Sequence, residues 1–360
     1  MTGRLEYLLE QKAEGRKVAA VWPARFPLEL LWARGYCTAE VWDPPSAQSR
    51  AAAHIQPFVC SVVRGGFELL ASGGTEVADL LAFAHTCDSL QNLATVVKDL
   101  LGDTRPLLTF YPPKGAGGEG ARKFLRSQLE ELWRALGGGA TPPSEDEALR
   151  SAVMLGRRRD GLLRELYGRR AQGRLGCGNA EFYGAVRSCE HLWPEDAVAE
   201  LERVLASAGN IAPAGRRLVF TGVLPAPKDL MERLDELGVT VAEDDFLACG
   251  RRFPRNAVLE SPDPLEALAL RHLALPPCST QAPSQGERAD FLAGLVESAG
   301  AEGVVFLSLK FCEPDLFERP ALARALREKG IPVLLLETET GREAPAGLMT
   351  RIEAFLEGLP

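Results

Sequence analysis

The stretch GVVFLSLKFCEPDLFERPALARALREKGIPVLLLE (303–337) reads as strand, turn, helix, strand. GVVFLSLK (303–310) is an apolar run without polar alternation, the mark of a strand buried on both faces. Cys312 and an acid follow at once, a Leu- and Ala-rich helical pattern comes next, and PVLLLE (332–337) is a second buried strand. Two such strands with a helix between them form a βαβ unit of a parallel sheet.

The first half of the chain holds a copy of this unit. FAHTCDSLQN and SLKFCEPDLFE each put a cysteine and then an acid directly behind a buried strand, so Cys87 pairs with Cys312. The interval from Cys87 to Leu108 is 21 positions, and so is that from Cys312 to Val333. Upstream, VAAVWPARFPLELLWARGYCTAEVWD matches RLVFTGVLPAPKDLMERLDELGVTVAEDD, with Gly35 at the place of Gly238. Each runs strand, Pro-containing turn, helix, Gly, strand and acidic end.

The strands fall into two sets. VAAVW (18–22), TAEVWD (38–43), DLLAFAH (79–85) and LLTFY (107–111) form the first. RLVFTG (217–222), VTVAED (239–244), GVVFLSLK (303–310) and PVLLLE (332–337) form the second. The expected fold is α/β: two duplicated Rossmann- or flavodoxin-like domains, each with a parallel four-stranded sheet, at residues 1–118 and 213–360. Between them, residues 119–212 form a helical connector, with helices at about 119–136 and 144–171 and then the glycine-rich GRLGCGNAEFYG. The run RRRDGLLRELYGRR (157–170) reads as a solvated helix face that needs no ligand.

Composition sets further limits. A chain of 360 residues, 46% hydrophobic and 25% charged, is a soluble globular protein with room for two cores. Its net charge of −8 opposes the basic field that nucleic acid or an anionic membrane requires. The start, MTGRLEYLLEQKAEGRK, is charged throughout and lacks the apolar core of a signal peptide, so the expected location is the cytoplasm.

In a reducing compartment the 8 cysteines are not a disulfide framework. No CxxC pair occurs, so any metal site is assembled from distant segments. A cysteine at the end of a buried strand is often plain packing. Here related positions recur in both halves. Cys60 and Cys278 each precede the helix before the cysteine-bearing strand, at intervals of 27 and 34 from Cys87 and Cys312. In a parallel sheet the loops after the strands gather at one edge, where ligands bind, and two such edges facing each other make a cleft. Cys177 and Cys189 lie in the connector and read as structural.

The segments QPFVCSVVR, HTCDSLQ and GVVFLSLKFCEPDLFERPALARALREKGIPVLLLETE resemble the 2-hydroxyacyl-CoA dehydratase and benzoyl-CoA reductase group, which includes the double-cubane cluster proteins. FPLELLWARGY, EDDFLACGRRF and LALPPCS extend the likeness collinearly over nearly the whole chain. The resemblance implies that Cys60, Cys87 and Cys312 ligate a [4Fe–4S] cluster, leaving one iron open for chemistry. Cys278, Cys249 and Cys37 are the further thiols that a double-cubane [8Fe–9S] cluster would draw on. It also implies an ATP-hydrolysing iron–sulfur activator as a separate polypeptide, a homodimer or a heterodimer with a family paralogue, and a coenzyme A thioester as substrate. The absence of a GxxxxGK[ST] phosphate loop fits an ATPase on another chain.

The activity implied is that of a lyase (dehydratase) or an oxidoreductase (benzoyl-CoA reductase or double-cubane type). A non-catalytic two-lobed ligand binder is the competing class. Around the cysteines, Ser61 and Thr86 are candidate donors to sulfur, and Asp88 and Glu313 read as helix caps. His85 and Lys310 are candidates for proton donation or acyl binding, Glu337 for carrying a proton, and Arg64 for meeting a coenzyme A phosphate.

Overall fold

The apolar runs become parallel strands in the computed structural model, which describes residues 2–44, 50–115, 117–139, 142–143, 146–211, 214–281, 285–341 and 343–360. In the first lobe these are β1 (Lys17–Trp22), β2 (Tyr36–Glu40), β3 (Leu80–Ala84) and β4 (Leu107–Phe110). The second lobe has β5 (Arg216–Gly222), β6 (Val239–Phe246), β7 (Gly303–Leu309) and β8 (Val333–Thr338). Every pairing is parallel, in the orders β2-β1-β3-β4 and β6-β5-β7-β8, so the second sheet repeats the first strand for strand. The one irregularity is a register shift in the β5–β6 ladder at Leu218/Val219.

The duplication reaches the turns. Gly35 (φ 73°) and Gly238 (φ 65°) each stand between the helix after the lobe's first strand and the next strand, in the left-handed region that side chains disfavour. β3 and β7 are buried along their whole length, as central strands covered by helices on both faces must be.

The connector holds Glu119–Ala135 and Glu147–Ala171, close to the expected bounds; positions 144 and 145 lie outside the described residues. It also holds two helices that the glycine-rich segment did not announce, Asn179–Ser188 and Pro194–Ser207. The first is capped from another lobe. The Asp235 carboxylate accepts from the Asn179 and Ala180 amides at 2.7 and 3.0 Å, which no local pattern reveals.

The reading of 157–170 as a solvated face needs correction, because the helix runs between the lobes. Arg159, Asp160 and Arg170 are buried. Arg170 donates to the Val241 carbonyl at 2.7 Å and to Asn179 Oδ1 at 2.6 Å, and Asp160 accepts two bonds from Arg271 at 2.6 and 2.9 Å.

One hydrophobic core passes through both lobes, from Trp22, Phe67 and Phe83 to Phe182, Phe220 and Phe246. Ion pairs across the seam, such as Glu40 with Arg252, add to it. Among the described residues no helix is long and apolar enough to cross a membrane.

One histidine in this interior, His272, and one half-buried at its margin, His191, are uncharged at neutral pH. His272, on the helix Pro264–Leu273, stands edge-on to Phe110 with ring centroids 5.4 Å apart. Burial, with Arg25 and Arg271 nearby, pushes its pKa down to about 3. Burial, with Arg4 and Arg187, pushes His191 down to about 4. As pH falls through the ordinary histidine range, the unfolded chain takes up protons that the folded chain refuses. Each of these histidines should therefore lower stability as pH falls below about 6.5, by about 1.4 kcal/mol per pH unit. The difference in urea midpoint between the wild type and His272→Gln, followed from pH 7 to pH 5, should show this slope for His272.

Candidate functional site

Three helices begin on cysteines. Cys60 is the residue before Ser61–Ala71, Cys87 the residue before Asp88–Leu101, and Cys312 the residue before Glu313–Glu328. The first two belong to one lobe and the third to the other. Their thiols sense one another. Burial pushes Cys87 up to about 11, with Cys60 adding to the shift, and burial raises Cys312 well above its ordinary value, with both Cys60 and Cys87 contributing. Cys60 is raised by burial alone.

Against burial stand the helix ends. The amides of Val62 and Val63 favour the Cys60 thiolate, those of Ser89 and Leu90 the Cys87 thiolate, and that of Asp315 the Cys312 thiolate. No cysteine closes a side-chain capping hydrogen bond, so the sulfurs are not committed to the helices. The helix N-termini point positive field at sulfur, yet burial wins and the free thiols stay protonated near neutral pH.

Among the described residues no group of three or more His, Cys, Asp or Glu side chains is arranged to hold a metal ion. A single ion needs its donors at one point, whereas a cluster takes each thiolate on a different iron. Three sulfurs that influence one another from three separate helix starts therefore suit a cluster rather than a lone ion.

The surrounding groups stitch the lobes together at this place. The Thr340 amide donates to Ser61 Oγ at 3.0 Å, and Arg64 donates to Glu339 Oε1 at 2.9 Å. Lys310 Nζ lies 3.8 Å from the other Glu339 oxygen. Arg64 and Lys310 thus meet on Glu339, just past the end of β8. The sequence reading passed over Glu339, although it follows its strand as Cys87 and Cys312 follow theirs. Glu337, chosen instead, lies inside β8, half exposed, and pairs with Arg319 at 3.2 Å.

His85 stands edge-on to Tyr111 with centroids 5.3 Å apart, and its Nε2 is 3.7 Å from Asp88. It forms one wall of an open cleft of about 510 Å³ shared with Tyr111, Lys114 and Phe124. Thr86 is buried beside it.

The other three candidate ligands have different neighbours. Cys37 is fully buried on β2, its Sγ 3.5 Å from the His191 carbonyl, and burial pushes it up to about 12. Cys249 is fully buried beside Asp244, which with burial raises it well above the ordinary thiol value. Cys278 precedes a short 3₁₀ turn, Ser279–Gln281, rather than an α-helix. Arg251 donates to its Sγ at 3.1 Å, and Thr280 Oγ1 lies at the same distance. Burial works against the Cys278 thiolate, but Arg251, Arg25 and Arg288 outweigh it and bring the pKa down to about 7. Cys177 and Cys189 are core residues.

The profile of the 2-hydroxyglutaryl-CoA dehydratase D-component family matches residues 23–359. The beta subunit of lactoyl-CoA dehydratase from Anaerotignum propionicum is 24% identical, over 97% of this chain and 94% of its own. The (R)-phenyllactyl-CoA dehydratase beta subunit of Clostridium sporogenes is 23% identical, over 98% and 95%. A benzoyl-CoA reductase subunit from Thauera aromatica is 25% identical, over 89% and 84%.

Arg251 is held by Asp245 at 3.2 Å as well as by Cys278, with every partner buried. Removing one member of such a set strands a buried charge. Arg251→Met should cost about 3–5 kcal/mol in chemical denaturation. Cys278→Ser, whose hydroxyl still accepts from Arg251, should cost less.

Proposed function

We propose, on the premise that this chain belongs to the 2-hydroxyglutaryl-CoA dehydratase D-component family, that it is the iron–sulfur subunit of an enzyme acting on a coenzyme A thioester. The observation that carries the reading is the trio Cys60, Cys87 and Cys312, drawn from both lobes to three helix starts and electrostatically coupled.

In this reading the three thiolates hold a [4Fe–4S] cluster through three irons. When bound, the cluster supplies low-potential electron transfer and one iron position free of protein sulfur. The chain's own residues prepare the place for it. The amides at the three helix starts lower the cost of negative charge on sulfur. The Ser61–Thr340 bond and the Arg64–Glu339–Lys310 bridge hold the lobes at a fixed separation. The apolar core behind the cysteines excludes water.

The open cleft beginning at His85, of about 510 Å³, has the size of a site for part of an acyl thioester. Lys114 on its wall, and Arg64 and Lys310 beside the cysteines, are the cations available to phosphate or carbonyl oxygen. His85 is the group able to carry a proton there.

The reaction is a dehydration or a reduction, both chemistries being named among the relatives. A separate ATP-hydrolysing activator would supply the electron, and a paralogous subunit would complete the enzyme, as the beta-subunit relatives suggest. A single cubane is favoured over a double one because Cys37, Cys249 and Cys278 keep other company. A hinged ligand binder is disfavoured by the core that runs unbroken through both lobes.

Anaerobic protein, reconstituted if needed, should be brown and carry about four irons per chain. Cys60→Ser, Cys87→Ser and Cys312→Ser should each lose most of the iron and the electron paramagnetic resonance signal of the reduced cluster. Serine at 37, 249 or 278 should leave both in place. Full iron in any variant of the trio, or a colourless wild type after reconstitution, ends the proposal.

A further inference from the structure

A second site lies in the seam between the lobes, in a cavity of about 40 Å³ with no cysteine on its wall. Its charged lining is Arg25, Glu29, Glu40, Arg159, Arg252 and Arg271. They come from six places: the segment after β1, the helix Leu28–Trp32, the end of β2, the long connector helix, the segment after β6 and the helix Pro264–Leu273.

Three of these charges are satisfied. Arg252 pairs with Glu40, and Arg271 holds Asp160 through two bonds at 2.6 and 2.9 Å. Arg159 is not. It is 3% exposed, and its Nε and Nη1 have no hydrogen-bond partner. Its Nη2 lies 3.5 Å from Glu29 and 3.7 Å from Asp160, its guanidinium stacks 4.8 Å over the Trp32 ring, and Arg271 approaches Glu29 at 3.8 Å, ion-pair distances too long for good hydrogen bonds. Arg25 uses its two terminal nitrogens on Gln281 and the Pro276 carbonyl and leaves Nε unpartnered.

Three buried N–H groups therefore meet one unpartnered acceptor on this wall, Glu29 Oε1. Buried donors without acceptors are costly, and for cationic donors more so. Water answers them poorly, because each water brings two hydrogens that themselves need acceptors. An anion answers them with lone pairs alone. Burial already disfavours the charge on Arg25, a cost that a neighbouring anion would offset. The volume has room for roughly three water-sized groups, which excludes nucleotides and thioesters and admits a halide or an ion of similar size.

We propose that this cavity is a small-anion site, occupied by chloride in ordinary buffers, in which Arg159 and Arg25 bind the ion and so tie the connector to the first lobe. It is separate from the trio Cys60, Cys87 and Cys312, although Arg25 also faces the Cys278 sulfur.

The test uses full-length protein purified anaerobically. Thermal unfolding is compared in sodium bromide and in sodium gluconate at equal ionic strength, gluconate being too large for the cavity. Bromide should raise the transition by a few degrees in a saturable way, and crystals grown in bromide should show an anomalous peak between Arg159 and Arg25. Arg159→Met should unfold identically in the two salts. If that variant does not fold, Glu29→Gln decides instead: without the competing carboxylate, half-saturation should come at about tenfold less bromide. Equal transitions of the wild type in both salts, or bromide held only at surface cations with water in the cavity, would overturn the proposal.

Discussion

The cysteine site exists only because the two sheets are locked to each other. Each lobe on its own is an ordinary parallel α/β unit. One apolar core joins them, passing from Trp22 and Phe83 through Phe182 to Phe220 and Phe246, and the long connector helix inserts Arg159, Asp160 and Arg170 along the seam. That contact sets the distance from the ends of β3 and the Ser61–Ala71 helix to the end of β7. A shift of one lobe would separate Cys312 from Cys60 and Cys87 while leaving each sheet intact.

The same chain solves the problem of a buried thiol in two ways. At the trio, burial defeats the helix-end amides and the sulfurs are neutral near neutral pH. At Cys278, arginines already surround the sulfur and outweigh burial, so the thiol ionises near neutral pH. The first arrangement suits a group that exchanges ligands with metal. The second suits a fixed counter-charge inside an ion-pair network of Arg251, Asp245 and Arg288. A cysteine's burial alone does not distinguish them; the sign of its neighbours does.

Much of the architecture was legible because its signals are local. Strands buried on both faces write themselves as unbroken Val, Leu and Phe runs, and the runs of 303–310 and 332–337 differ from β7 and β8 only at their ends. The duplicated spacing identified equivalent positions, and the sheet orders repeat as that spacing implied. The helix Asn179–Ser188 was not legible, since its cap is a carboxylate supplied by Asp235. Nor was the burial of Arg159 and Arg170, whose partners lie far along the chain. Glu339 was missed for a neighbour two residues away, because the point where β8 ends depends on its pairing with β7.

The sequence by itself determined the strands, their duplication, and which cysteines hold equivalent places behind them, all consequences of periodicity and spacing along one chain. Only the tertiary structure decided which charges are buried, which carboxylate joins Arg64 to Lys310, and which sulfurs share a neighbourhood. Those outcomes depend on Coulomb interactions and desolvation between residues tens to hundreds of positions apart, and these take a value only when packing has set the distances.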